Sequence, residues 1–263
     1  MGGPRRKRLD VSRKSADELE VMAEAGRISA LALQTALDAL VPGVSTLEVD
    51  ELTEAVIHEA GAVPSFKGFH GYPASTCISI NNVVVHGIPR ADVLVREGDI
   101  VGVDVGASWG GFHGDNAATK AIGEVSAEAG RLLRVTQEAL QKGIEEAVVG
   151  HRLKAISMAV QGHAEIHGYS VVRQLLGHGI GRQMHEPPQV PNYYQAGEFA
   201  DYELTLRPGM TLAIEPMINI GGPNVMNDGD CWTTRTTDGS LSAHFEHTIV
   251  VTKAGPQILT PRD

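Results

Sequence analysis

The sequence predicts an α+β fold in which helices back a curved antiparallel sheet. Three observations carry this. The order helix, helix, strands occurs twice. No linker or low-complexity stretch divides the chain. One string recurs: Arg96-Glu-Gly-Asp-Ile-Val-Gly-Val-Asp104 and Arg207-Pro-Gly-Met-Thr-Leu-Ala-Ile-Glu215 align without gaps, each with Arg, a Gly two later, an apolar run and a closing acid. Either the halves are related by duplication or one strand-entry turn has recurred by chance. Such a sheet leaves a concave face for a ligand.

Each element has a local cause. Ser15-Ala-Asp-Glu18 is a capping box opening an amphipathic run (Leu19, Met22, Ala25, Ile28, Leu31) that ends at Val41-Pro42-Gly43. A second box, Ser45-Thr-Leu-Glu48, starts a helix expected to stop near Gly61. From Pro64 to Pro89 the pattern turns to β, with Thr76 to Ile80 and Val83 to Val85 flanking Asn81-Asn82, read as a hairpin turn. Strands are expected from Ile100 to Ala107 and Phe112 to Ala121 across Trp109-Gly110-Gly111, and helices over 127–149 and 152–167. From Val171 onward the chain reads as strand and loop. Residues 15–263 are read as one domain and 1–14 as a flexible basic tail.

Composition narrows the function. The 263 residues carry 22 Lys+Arg against 32 Asp+Glu, a net charge of −10, which argues against a general nucleic-acid or membrane-surface binder. Two cysteines, Cys77 and Cys231, are too few for a disulfide framework and suit a reducing compartment. No apolar stretch is long enough for a membrane span, and Asp10 to Glu20 is too polar for a signal peptide. A cytoplasmic protein is expected. The basic run Arg5-Arg6-Lys7-Arg8 reads as a solvated tail, with contact to an RNA-rich partner as the sharper alternative.

The informative residues are acids in strands, where Asp and Glu neither pack well nor tolerate burial unpaired. Asp104 lies in Ile-Val-Gly-Val-Asp-Val, and a turn at Trp109-Gly110 would set it directly opposite Asp115. A bound cation, one shared proton or capping by turn amides would each relieve the repulsion. Glu215 closes the equivalent strand of the second half, and Glu246 lies in Ala-His-Phe-Glu-His-Thr-Ile. Four strand acids match the charge of two divalent ions, in a carboxylate-rich site that suits Mn, Fe or Co more than structural zinc. His178 and His185, in Gly/Pro-rich segments, and His86 are candidate nitrogen ligands or acid-base groups. His163 and His167 form an i, i+4 pair without a zincin's properly placed Glu, and read as structural, as do His113, His151, His244 and His247.

The strings from His70 to Pro89, Gly111-Phe-His-Gly-Asp115, Gly177-His-Gly-Ile-Gly181, Ile214-Glu-Pro-Met217 and Phe245-Glu-His-Thr248 together resemble type I methionine aminopeptidase, from about Ser15 to Val251. The resemblance implies the pita-bread fold and a dinuclear centre of Asp104, Asp115, His178, Glu215 and Glu246, holding two divalent ions (Co, Mn, Fe, Zn or Ni). It implies a metal-bridged hydroxide attacking the first peptide carbonyl of nascent proteins and peptides that start with Met and have a small second residue. Glu215 would assist deprotonation, His86 contact the departing nitrogen, and His185 contact the carbonyl oxygen. Phe69, Tyr72, Cys77, Met184 and Trp232 would line the methionine pocket. Three departures from the family pattern are Asn82, Phe69 and Met184. A monomer without DNA or membrane contact is expected, with ribosome contact through the tail as an open alternative. The rivals are an Xaa-Pro aminopeptidase or prolidase, a type II methionine aminopeptidase, and a binding member of the fold that has lost catalysis. The first usually has an extra N-terminal domain, the second has a long insertion between His178 and Glu215, and the third would be expected to have lost metal ligands.

Overall fold

The computed structural model describes residues 11–262. The basic run at 5–8 and Met1-Gly2-Gly3 lie outside the described residues. Of the predicted tail, residues 11–14 are described and docked. Lys14 is buried, its Nζ lies 2.7 Å from Glu186 Oε2, and its backbone N–H donates to the Gly209 carbonyl at 2.7 Å. Among the described residues no helix is long and apolar enough to cross a membrane.

Four α-helices are formed among the described residues: α1 (Ala16–Ala39), α2 (Thr46–Glu59), α3 (Ala127–Glu145) and α4 (Lys154–Ile166). Both predicted capping boxes close, with Ser15 and Ser45 each accepting from the third helical N–H while Glu18 and Glu48 reach back to the cap. The buried face of α1 runs through Met22, Ala25, Ile28, Ala32 and Leu33, whereas Leu31 is exposed. A stripe taken every third residue rotates off a 3.6-residue helix face, and Leu31 has rotated into solvent.

The main sheet is antiparallel throughout. It runs Val63–Pro64, Ile100–Trp109, Phe112–Ala121, Glu246–Thr252, Thr211–Ile214, Gly177–Gly179 and Glu186–Val190, with Thr76–Ile80 also on the Ile100 strand and Gly255–Ile258 on the Glu246 strand. The recurring string is one turn built twice. Met210 N–H donates to Arg207 O as Asp99 N–H does to Arg96 O, and Gly209 and Gly98 are both left-handed (φ 85° and 88°). Each glycine N–H then donates to a neighbouring strand segment, Gly98 to Ile122 O and Gly209 to Val251 O.

Two local expectations are corrected. The turn after Trp109 is Gly110-Gly111 (φ 58° and 80°), not Trp109-Gly110, because a tight two-residue turn needs positive φ at both central residues. The register therefore moves by two, so Asp104 faces Ala117 and Asp115 faces Gly106. An even shift leaves both acids on one face, as diagonal neighbours. Asn81-Asn82 does not close a hairpin. Only Asn81 has positive φ (57°), Thr76–Ile80 pairs with the Ile100 strand, and Val83–Val85 pairs with Thr234–Thr236.

Helix α1 covers the convex face, where Ser29 Oγ donates to Val105 O (2.8 Å) and accepts from Asn116 Nδ2 (2.7 Å). The approach is close enough that a Cβ on Gly114 would stand 2.6 Å from the Gly26 backbone. Gly114→Ala should therefore destabilise the protein by about 1–3 kcal/mol, as overpacking does. Urea unfolding of the variant checks this, and an unchanged midpoint would contradict it.

Candidate metal centre

Five neighbouring strands aim one candidate ligand each at the concave face. Directly paired residues of an antiparallel sheet point to the same side, and alternate residues share a side. Asp104 pairs with Ala117, which pairs with Glu246, so these three form one row. His178, Ala213 and Thr248 form the next. Asp115, two residues before Ala117, shares the face, and Glu215, following Ile214 whose partner is His247, turns onto it as well. Ala117 and Ala213 keep the rows shallow between the long side chains. The result is a cavity of about 260 Å³.

All the site residues read from the sequence line this cavity: Asp104, Asp115, His178, Glu215 and Glu246 at its floor, His86 and His185 at its side, and Phe69, Tyr72, Cys77, Met184 and Trp232 around its apolar end. Phe66 and His70 line it too, unanticipated from sequence. Another residue read as structural belongs nearby: buried His244 points Nε2 to within 4.0 Å of Glu215 Oε2, and that nitrogen has no hydrogen-bond partner among the described residues. Its i, i+2 spacing from Glu246 is the signal that could have exposed it.

The electrostatics call for neutralisation of this cluster, by cations or by protons. Asp115 and Glu246 are 4% and 1% exposed, and Asp115 Oδ1, Glu246 Oε1 and Asp104 Oδ1 have no hydrogen-bond partner among the described residues. Burial pushes all four carboxyls above the ordinary range. The neighbouring acids push further: Glu246 and Asp104 act on Asp115, Asp115 and Asp104 on Glu215, and Glu215 and Asp104 on Glu246. Native interiors rarely leave such oxygens unpaired.

His178 is neutral and keeps one ring nitrogen free to accept. Its Nδ1 donates to the Gly179 carbonyl (2.9 Å), which leaves Nε2 with a lone pair 3.5 Å from Glu215 Oε1 and 3.8 Å from Asp115 Oδ2. Burial lowers its pKa to about 3, so the imidazole is neutral near pH 7. One ligand atom each from Asp115, His178 and Glu246 lie within 4.8 Å of one another. Unpaired carboxylate oxygens and a neutral imidazole fit divalent metal, and the oxygen-rich donor set fits Mn, Fe or Co.

The apolar end is built by aromatic edges. Tyr72 and Trp232 meet edge-on at 5.1 Å, and Phe69 packs on the His185 ring at 5.2 Å. Tyr72 donates its hydroxyl to Thr76 O (3.0 Å), and Met184 and Cys77 are each 4% exposed. Burial, then Asp104, raises the Cys77 thiol, so it stays protonated and is no nucleophile. His86 sits at φ 59°, an uncommon conformation for a residue with a Cβ and one that clusters at functional sites.

Comparison with known proteins agrees with this geometry. Residues 20–253 match the model of metallopeptidase family M24. The methionine aminopeptidase of Clostridium acetobutylicum is 48% identical over 247 residues, covering 94% of this chain and 97% of that one. The crystal structure of methionine aminopeptidase from Thermotoga maritima superposes with a TM-score of 0.92 at 43% identity, over 96% of this chain and 100% of that one. Prolidase from Pyrococcus furiosus, at 23% identity, shares the fold alone, with a TM-score of 0.76 over 95% of this chain and 66% of that one. On the matched span and these identities, the chain belongs to metallopeptidase family M24, among its methionine aminopeptidases.

Proposed function

We propose that this methionine aminopeptidase removes N-terminal methionine from nascent proteins and peptides with a small second residue, using two divalent ions held by Asp104, Asp115, His178, Glu215 and Glu246. The observation that carries this is the set of buried, unpartnered carboxylate oxygens facing one small cavity with an apolar end. When bound, the ions supply Lewis acidity toward a peptide carbonyl and bring the pKa of a water toward neutrality.

The chain's own groups do the rest. Glu215, which lines the cavity beside the other acids, is assigned to take a proton from the attacking water and pass it on. Burial lowers the pKa of both His86 and His185; at His86 the next contribution comes from His185, and at His185 from His70 and then His113. Each can therefore donate an N–H hydrogen bond as a neutral ring. His86 is assigned to the departing amide nitrogen and His185 to the carbonyl oxygen, where negative charge develops. Tyr72, Trp232, Phe69, Met184 and Cys77 enclose the methionine side chain, whose sulfur gains from aromatic edges. Both cysteines are free thiols, in keeping with work on nascent chains in a reducing cytoplasm.

Metal-reconstituted protein should hydrolyse Met-Gly-Met and leave Gly-Pro dipeptides intact. Cleavage of the Gly-Pro substrate would favour a prolidase, and cleavage of neither with metal bound would favour a binding protein. His86→Ala should keep its metal while kcat falls by roughly 10²–10⁴, the range for removing a hydrogen-bonding or proton-transfer group. Elemental analysis alongside steady-state kinetics checks this, and loss of metal would show that His86 is itself a ligand.

A further inference from the structure

The histidine pair of α4 meets a carboxylate from the neighbouring helix. Glu138 stands on α3, His163 on α4 and His167 at the C-cap of α4, and one ligand atom from each lies within 4.8 Å of the other two. His163 Nε2 is 2.9 Å from Glu138 Oε2, and the two imidazole rings are 4.6 Å apart. The i, i+4 spacing brings the two rings to the same side of the C-terminal end of α4.

We propose that Glu138, His163 and His167 form a second metal site, separate from the cavity, which takes one late first-row divalent ion: Zn²⁺, Ni²⁺ or Cu²⁺. His167 Nδ1 lies 2.8 Å from the His163 carbonyl oxygen. A carbonyl only accepts, so Nδ1 carries the proton and Nε2 keeps its lone pair, the tautomer that outer hydrogen bonds impose on metal-binding histidines. Ligands about 2.0–2.2 Å from a tetrahedral ion stand roughly 3.3 Å apart, and the His163–Glu138 pair is already near that spacing. Rotation of the exposed Glu138 side chain closes the rest, with water filling the remaining positions. Arg134 competes only weakly, its Nε 3.9 Å from Glu138 Oε1 across an exposed surface. The donor set also separates the two sites: two imidazoles and one carboxylate select Zn²⁺, Ni²⁺ or Cu²⁺, whereas the acid-rich cavity suits Mn, Fe or Co. An ion here ties α3 to α4 and stabilises the native state by mass action.

The test starts from metal-loaded enzyme. Equilibrium dialysis against Zn²⁺ should show one equivalent beyond those of the cavity, with a rise in melting temperature. His163→Ala and His167→Ala should each weaken that equivalent at least tenfold and leave Met-Gly-Met hydrolysis and cavity metal content unchanged. With Cu²⁺, electron paramagnetic resonance should show coupling to two imidazole nitrogens that becomes one in either variant. No extra equivalent up to millimolar Zn²⁺, or unchanged affinity in either variant, would overturn the proposal and leave the Glu138–His163 contact a helix–helix hydrogen bond.

Discussion

Asp104→Ala should lose metal loading and turnover together, with kcat/KM falling at least about a thousandfold, equivalent to roughly 4 kcal/mol of transition-state stabilisation. Asp104 heads the row Asp104, Ala117, Glu246 and has an oxygen with no partner among the described residues. Asp104→Asn separates charge from shape. With metal absent, the parent protein buries like charges that push one another's pKa upward, and the Asn variant removes one of them. Metal-free Asp104→Asn should therefore melt above the metal-free parent near pH 7 while still failing to turn over. Calorimetry and metal analysis check both halves. A variant that keeps its metal and its activity would remove Asp104 from the ligand set.

The second large effect is that of stripping the metal. The four carboxyls are raised in the folded state, so above the ordinary carboxylate range the folded protein holds more protons than the unfolded chain. Their contribution is fully present below the unfolded pKa and is lost as pH rises through the folded values. Buried His178 and His244 and half-buried His247 act oppositely. Each is lowered to about 3, so stability is lost as pH falls below their ordinary 6.5. About one pH step above 6.5 the histidines are neutral in both states, and the carboxylate effect is isolated. Chelator-treated protein should lose stability from there to about pH 8.5, by about 1.4 kcal/mol per pH step of one for each proton the folded state holds in excess, or a fall in Tm on the order of 10 °C. Metal-loaded protein should stay nearly flat, because the ions offset the carboxylate charge across that range. Parallel slopes for the two forms would mean that the acids are neutralised by something other than metal.

Much of this was legible in the sequence because its causes are local. A capping box needs four residues, and both, Ser15 to Glu18 and Ser45 to Glu48, read directly. An acid set in or beside a strand is conspicuous wherever the strand goes, which is why Asp104, Asp115, Glu215 and Glu246 are legible. The misjudged features depend on backbone detail or distant partners. One residue's difference in the turn moved the Asp104 register by two, and only the evenness of that shift kept the acids on one face. Asn81-Asn82 looked like a hairpin, but Val83–Val85 found its partner at Thr234–Thr236, about 150 residues away in sequence, a pairing that no local pattern announces. His244 and His70 were overlooked because a lone histidine gains meaning only from what faces it. The rows that bring Glu246 beside Asp104 and His178 beside Thr248 are likewise properties of the assembled sheet.

Anomalous diffraction from crystals of Mn²⁺- or Co²⁺-loaded protein tests the metal centre most directly. Two peaks are expected in the cavity, each within about 2.0–2.3 Å of carboxylate oxygens and with His178 Nε2 on one of them. Peaks confined to other surfaces, or a cavity without metal in crystals of protein that still cleaves Met-Gly-Met, would contradict it.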